Sequence, residues 1–134
     1  MRQNLKLSRA RLAGILSVAL LAAAIPLSVI GTAQADTIPS QVSIKWNENR
    51  TLFKGKVRSE DPECLGDRRV TVFKKRPGKD KKVGSDFTNN RGKWKVDKRQ
   101  ANGRYYARVA AKQLSGYYGP GDKCARARSR TIRV

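Results

Sequence analysis

The sequence of 134 residues contains no histidine, only two cysteines, and 10 acidic residues against 30 lysines and arginines. The absence of histidine excludes every His-based catalytic triad, general base and metal ligand. Two cysteines cannot by themselves form a four-cysteine zinc site or an iron–sulfur site. The length allows one ordinary domain and excludes a multidomain enzyme. What remains is a small basic protein with a formal net charge of +20.

The first 35 residues have the layout of a secretory signal peptide. Four cations precede a long uncharged, mostly apolar stretch that begins at Leu12, and the small-residue motif Ala33-Gln34-Ala35 ends it. We therefore predict a helical signal peptide over residues 1–35, cleaved between Ala35 and Asp36 during bacterial Sec export. The alternative is an uncleaved membrane anchor, since about 18 apolar residues can span a bilayer.

The mature chain would be a single domain of 99 residues, 36–134, with 26 basic and 10 acidic residues and a net charge of +16. It would be secreted and would keep no stable membrane span after cleavage. Its two cysteines, Cys64 and Cys124, would then meet an oxidising compartment, where an intramolecular disulfide is the expected state. Two free thiols or an intermolecular bridge are the alternatives.

Short alternating segments separated by turn residues dominate the mature chain and predict an all-β fold. Turn chemistry is clearest at Pro77-Gly78 and Asn102-Gly103, and residues 116–122 form the longest expected loop. Seven strands at such spacing favour an antiparallel β-sandwich. The expected strands are residues 42–46, 52–57, 70–74, 82–88, 93–96, 104–110 and 125–134.

The same alternation predicts which side chains form the core, because successive strand residues point to opposite faces. Tyr105 should point inward and Tyr106 outward. The loop pair Tyr117-Tyr118 should fold back over the core; the alternative is that it stacks on sugars or bases. The expected inward residues are Val42, Ile44, Trp46, Phe53, Val57, Val70, Val72, Trp94, Val96, Tyr105, Ala107, Val109, Ile132 and Val134.

One pattern runs through residues 53–57, 64–69, 70–75, 78–80, 83–85, 88–92, 94–96, 103–107 and Cys124. Together these segments resemble a family of small secreted β-sandwich modules common in actinobacteria, related to transthyretin-like, carboxypeptidase-regulatory-like and collagen-adhesin B-type domains. The resemblance implies an Ig-like or prealbumin-like sandwich and an accessory role at the cell surface. No isopeptide triad is evident on core positions, and a transthyretin-like hydrolase activity would need the missing histidine.

A basic surface is the strongest functional signal in the sequence. Cations crowd the Pro77-Gly78 turn and recur along the last expected strand, where alternation should place them towards solvent. Such a surface would bind an anionic cell-wall polymer, a polysaccharide or a nucleic acid. The alternative is that the charge only keeps the protein soluble. The predicted anion-binding residues are Lys74, Lys75, Arg76, Lys79, Lys81, Lys82, Arg126, Arg128 and Arg130.

Catalysis is not expected, and neither a cofactor nor a metal site is predicted. The acidic cluster Glu60, Asp61 and Glu63 matches no calcium-binding loop and is interpreted as a solvated loop beside Cys64. The leading hypothesis is a secreted, non-catalytic β-sandwich module with a binding or structural role at the cell envelope. The alternative is a secreted cationic effector, either an antimicrobial or a protein inhibitor.

Overall fold

The computed structural model describes residues 35–116 and 120–134. Residues 1–34 of the predicted signal peptide and the pair Tyr117-Tyr118 lie outside these residues. A 3-10 turn, Pro62–Cys64, accompanies the strands. In chain order the strands are β1 Thr37–Ile38, β2 Ser40–Val42, β3 Lys45–Asn47, β4 Leu52–Ser59, β5 Arg69–Lys74, β6 Lys81–Phe87, β7 Lys93–Asp97, β8 Arg104–Val109, β9 Lys112–Ser115, β10 Pro120–Cys124, β11 Ala127–Arg128 and β12 Ile132–Arg133.

The strands form two larger antiparallel sheets and one small sheet. In the first sheet the order is β6-β5-β8, and both β11 and β12 pair with the far edge of β8. In the second sheet β4 pairs with β2 and β3 on one edge and with β7 on the other. The small third sheet joins β9 to β10 and, in parallel, β10 to β1. The chain is therefore an all-β sandwich, as predicted.

The core lies between the first and second sheets and contains every residue that alternation placed inward. Val70, Val72 and Ala107 face it from the first sheet, while Phe53 and Val57 face it from the second. The ring of Phe53 lies 4.8 Å from that of Trp46 and 4.7 Å from that of Tyr105, which links the two sheets. Trp46, Ile132 and Val134 pack at the periphery and are partly exposed.

Glycine is required at position 55, where the predicted strand 42–46 runs alongside β4. This segment is divided into β2 and β3, but both keep one register against β4, with Val42 opposite Val57 and Lys45 opposite Lys54. Ser43 interrupts the ladder because its hydroxyl accepts the Lys56 N–H at 3.0 Å. A Cβ at Gly55 would stand 1.9 Å from the Ser43 carbonyl oxygen, so no other residue fits.

The predicted continuous strand over residues 125–134 is wrong. It divides into β11 and β12, whose registers against β8 differ by one residue. Ser129 lies between them, and its hydroxyl accepts the Ala107 N–H at 2.8 Å in place of a ladder carbonyl. The extra residue is accommodated by this side-chain hydrogen bond, a pattern typical of a bulge.

The predicted loop over residues 116–122 is also partly wrong, because residues 120–122 belong to β10. Its partner β9 was not predicted. Leu114 is the only apolar residue of that four-residue strand, so the alternation there is too short to be recognised. Leu114 packs with Ile38 around the two cysteines and forms a second, small core.

The predicted disulfide joins Cys64 to Cys124, whose Cα atoms are 5.5 Å apart. Both cysteines are fully buried. The bridge ties the 3-10 turn that precedes β5 to the end of β10, so it connects the third sheet to the sandwich.

The buried guanidinium of Arg68 holds the same end of the molecule together. Arg68 is only 1% exposed. All its hydrogen bonds go to carbonyl or hydroxyl oxygens, and burial lowers its pKa. The acceptors are Cys64 O at 2.8 Å, Ala110 O at 3.1 and 2.8 Å, Ala125 O at 2.7 Å and Ser40 Oγ at 3.2 Å.

Replacing Arg68 by methionine should strongly destabilise the fold. The variant R68M keeps the side-chain volume but removes the donors to the backbone carbonyl oxygens of Cys64, Ala110 and Ala125. An unsatisfied buried acceptor costs about 1–3 kcal/mol, so we expect a loss of about 3 kcal/mol or more. Urea unfolding would measure it, with the exposed Arg99→Met as control. Equal stability of the two variants would contradict this role of Arg68.

Reducing the disulfide should cost a comparable amount. The bridge spans 60 residues of sequence, and loop-closure entropy for that length corresponds to about 4 kcal/mol. Urea unfolding with and without a phosphine reductant would measure the loss. The double variant C64A/C124A should already be destabilised and should not respond to reductant; a response there would show that the reductant acts elsewhere.

Candidate anion-binding faces

The structure places the predicted cations in two separate regions. Those around the Pro77-Gly78 turn lie at the hairpin between β5 and β6, and Arg126, Arg128 and Arg130 lie at the opposite edge of the first sheet, on and around β11. All are exposed except Lys74, which is half-buried. Their role in binding an anion stays a prediction.

Lys74 was predicted to face solvent, and this is wrong. It pairs with Tyr105 in the register between β5 and β8, on the core side of the sheet. Its ammonium lies 5.8 Å from the centre of the Tyr105 ring and donates to Asn102 Oδ1 at 2.7 Å. The aliphatic stem is buried while the charged end reaches the rim, as long cationic side chains commonly do.

The outer side of the second sheet carries a set of lysines that the sequence analysis missed. We call Lys45, Lys54, Lys56, Lys93 and Lys95 the lysine face. The strand registers place Lys54 between Lys45 and Lys95 in one row across three strands, and Lys56 directly opposite Lys93 in the next. All five side chains are exposed.

The lysine face has like charges directly opposite each other. Such cross-strand pairs are destabilising, because opposed side chains have Cβ atoms about 4.5–5.5 Å apart. The two rows contain no acidic residue; Asp97 lies in the following row, opposite Leu52. The nearby carboxylate of Asp86 accepts the backbone N–H of Lys95 at 2.9 Å. Asp86 offsets part of the repulsion from beside Lys95, but neither row itself contains an acid.

The lysine face borders a shallow concavity of about 720 Å³. Arg50 and Arg58 add two more cations to its lining. Phe87 lies on its rim at the end of β6 and is 56% exposed. An open basic depression with an accessible aromatic ring is a surface that suits an extended anionic chain.

A second basic depression lies on the outer side of the first sheet. We call it the arginine groove; it has a volume of about 720 Å³ and contains Arg69, Arg108, Arg126 and Arg128. Its remaining lining is uncharged and includes Phe73 and three alanines. Two predicted residues, Arg126 and Arg128, therefore lie here with Arg69 and Arg108, whereas Arg130 is not part of the lining.

Tyr106 does point away from the core, but the expectation that it is solvent-exposed is wrong, since it is 1% exposed. Its ring stacks on Phe73 with centroids 5.4 Å apart and planes at 17°. The guanidinium carbon of Arg128 lies 3.8 Å from the centre of the ring, and that of Arg108 lies at 5.4 Å. Cationic side chains thus bury the aromatic surface that alternation directed outward.

The hydroxyl of Tyr106 donates to Asp80 Oδ2 at 2.6 Å and so fixes the β5–β6 hairpin to this face. Asp80 Oδ1 also accepts the backbone N–H of Arg76 at 3.2 Å. The hydrogen bond from Tyr106, then that from Arg76, lowers the pKa of Asp80, and the charges of Lys75 and Arg128 contribute less. Burial, followed by the hydrogen bond to Asp80, raises the pKa of Tyr106.

The Tyr106–Asp80 contact predicts a late-ionising tyrosine. The pKa of Tyr106 is raised above the ordinary value of 10.0, so the stabilisation that it provides is complete below that value and is lost at higher pH. The Asp80 contribution has the opposite sign and is lost as the solution becomes acidic, since its pKa is lowered. An alkaline absorbance titration should show the late phenol ionising earlier in Asp80→Ala.

The assignment of this transition can be checked with Tyr106→Phe, in which the late transition should disappear. A late transition that persists in Tyr106→Phe, or that does not move in Asp80→Ala, would contradict the coupling. Circular dichroism at neutral pH would establish that both variants are folded.

The acidic cluster has a local structural role. Asp61 Oδ1 accepts the N–H of Glu63 at 2.8 Å and caps the 3-10 turn that positions Cys64. Across residues 35–116 and 120–134, no group of three or more Cys, Asp or Glu side chains is placed to hold a metal ion. No helix in this described part is long and apolar enough to cross a membrane.

No protein-family model matches the sequence, and no curated protein matches it. Among solved structures the chain is similar to a Fn3-like protein from Clostridium thermocellum, at 13% sequence identity and a TM-score of 0.39. The match covers 72% of this chain and 94% of that chain.

The strand alternation in the sequence did contain a signal for most of the lysine face. Lys54, Lys56, Lys93 and Lys95 are the other half of the alternation that predicted Phe53, Val57, Trp94 and Val96 as core residues. What the sequence did not reveal is that these lysines stand side by side, because that depends on the pairing of strands distant in the chain.

Proposed function

We propose that the protein is an exported, non-catalytic β-sandwich module that binds an anionic polymer at the cell envelope through the lysine face. The proposal rests mainly on the cross-strand register. It puts Lys54 between Lys45 and Lys95, and Lys56 opposite Lys93, without an acid in either row. A bound polyanion would relieve this repulsion and release counterions, two contributions that favour the complex.

The spacing of the lysines fits a chain with repeated charges. Neighbouring strands lie about 4.8 Å apart, and successive outward residues on one strand about 6.7 Å apart, so the ammonium groups form a two-dimensional lattice. Lysine is a compact, mobile point charge that imposes little geometry on its partner. The expected ligand is therefore a linear polyanion, either an anionic wall polymer, an acidic polysaccharide or a nucleic acid, recognised by charge density.

Two features support export with cleavage before Asp36. The disulfide Cys64–Cys124 is typical of an oxidising compartment. The backbone nitrogen of Asp36 lies 3.0 Å from Asp122 Oδ1. Cleavage would turn that nitrogen into an ammonium group beside a carboxylate and would strengthen the contact, since charge-assisted hydrogen bonds are about twice as strong as neutral ones.

The resemblance to small secreted actinobacterial modules agrees with an accessory, non-catalytic role. The effector alternative receives less support. Killing by membrane disruption needs apolar surface beside the cations. Phe87 is the only large hydrophobic side chain that is exposed in the described residues.

Polyanion titrations over a salt series test the proposal. Fluorescence anisotropy with a labelled oligothymidylate, and competition by polygalacturonate, would be measured from low to physiological salt. The triple variant K45Q/K54Q/K95Q should bind about tenfold or more weakly at low salt. Three lost phosphate contacts should also reduce the slope of log K against log salt by about 2.

The matched control is K75Q/K79Q/K82Q, which removes the same charge from the β5–β6 hairpin. It should retain most of the affinity and the salt slope. Equal losses in the two variants would mean that net charge, and not the lysine face, is responsible. Absence of binding by the unmodified protein at low salt would overturn polyanion binding altogether.

A further inference from the structure

Two arginines in the arginine groove lie side by side against aromatic rings. Arg108 on β8 and Arg128 on β11 are direct partners in the register, so they extend from the same face side by side. Arg128 lies 3.8 Å over the Tyr106 ring, and Arg108 lies 5.4 Å from that ring and 5.2 Å from Phe73. Stacking uses the flat side of a guanidinium and leaves its N–H edge available.

Within residues 35–116 and 120–134, neither guanidinium donates a hydrogen bond to a protein acceptor. Within the described residues, the arginine whose side chain donates hydrogen bonds to protein is Arg68, on the inside of the molecule. The lining of the arginine groove contains no acid. The carboxylate of Asp80, on which the charge of Arg128 acts, accepts from the Tyr106 hydroxyl and the Arg76 backbone.

We propose that Arg108 and Arg128 form a binding site for a phosphomonoester, separate from the lysine face and on the other sheet. A carboxylate has two oxygens and satisfies one guanidinium fork. A phosphomonoester has three terminal oxygens and a charge of about −1.5 to −2 at neutral pH, so it matches two adjacent forks and their two charges. The alanines of the groove would contact the apolar part of the ligand.

Thr71 extends the pair of arginines to a row of three residues on adjacent strands. It is the register partner of Arg108 on β5, lines the same groove and is half-buried. Its hydroxyl lies on the outer face beside Arg108, where it can donate to a further phosphate oxygen. The row Thr71–Arg108–Arg128 thus offers donors across three adjacent strands.

The pH dependence of this site should belong to the ligand. The sequence has no histidine, and the two titrating groups that face the arginines move away from neutrality, since the pKa of Asp80 is lowered and that of Tyr106 is raised. The other charged groups at the groove are the cations Lys75, Arg69 and Arg126. A phosphomonoester loses its second charge below about pH 6, so its affinity should fall there.

Titration of the isotopically labelled protein with phenyl phosphate, followed by NMR, tests the site. At constant ionic strength, saturable shifts should appear on β5, β8 and β11. The charge-conserving variant R108K/R128K should bind at least tenfold more weakly, because lysine lacks the bidentate fork. Benzenesulfonate and benzoate should bind more weakly than phenyl phosphate and should show no loss of affinity between pH 7 and pH 5.5.

The lysine-face variant K45Q/K54Q/K95Q separates the two proposals, since it should bind phenyl phosphate like the unmodified protein even if polymer binding fails. Unchanged affinity of a folded R108K/R128K variant would overturn the site. Shifts spread evenly over all basic surfaces would also overturn it, because they would indicate non-specific screening. Equal affinity for phenyl phosphate and benzoate would refute the choice of a phosphomonoester.

Discussion

One end of this sandwich depends on a buried cation that is stabilised only by hydrogen bonds to neutral oxygen atoms. Arg68 stays charged inside the protein only because carbonyl and hydroxyl oxygens surround it, since an unpaired buried charge is far more costly. Its acceptors come from β2, the 3-10 turn, the residue after β8 and the residue after β10. Four segments must therefore hold their positions at the same time.

The same constraint positions one of the two candidate faces. Ala110 and Ala125, which accept from Arg68, immediately follow β8 and β10. Ala110 lines the arginine groove, and Arg126, next to Ala125, lines it as well. The disulfide Cys64–Cys124 reinforces this arrangement, because Cys64 supplies a carbonyl to Arg68 and Cys124 precedes Ala125. Stability and the geometry of the groove consequently depend on one set of contacts.

Local patterns could predict the core and the disulfide, while the features that define the candidate faces depend on contacts distant in sequence. Phe53, Val57 and Trp94 were predictable because alternation is a local property of a strand. Arg68 was not, because it stands next to the exposed Arg69 and nothing in the local sequence distinguishes the two. Tyr106 was misjudged because its burial is provided by Arg128, 22 residues later in the chain. The lysine rows likewise required the pairing of β3, β4 and β7.

The lysine face and the arginine groove differ in how freely their charged side chains can move, although both are rich in cations. The side chains of the lysine face retain their rotamer freedom and hydration, so polymer attraction there should be loose, multivalent and sensitive to salt. Arg108 and Arg128 lie over the rings of Phe73 and Tyr106, and these contacts should restrict their rotamers. A ligand that meets their forks therefore pays little ordering entropy. The two proposals together describe a module that would hold a charged chain by charge density on one sheet and recognise an individual anionic group by its shape on the other.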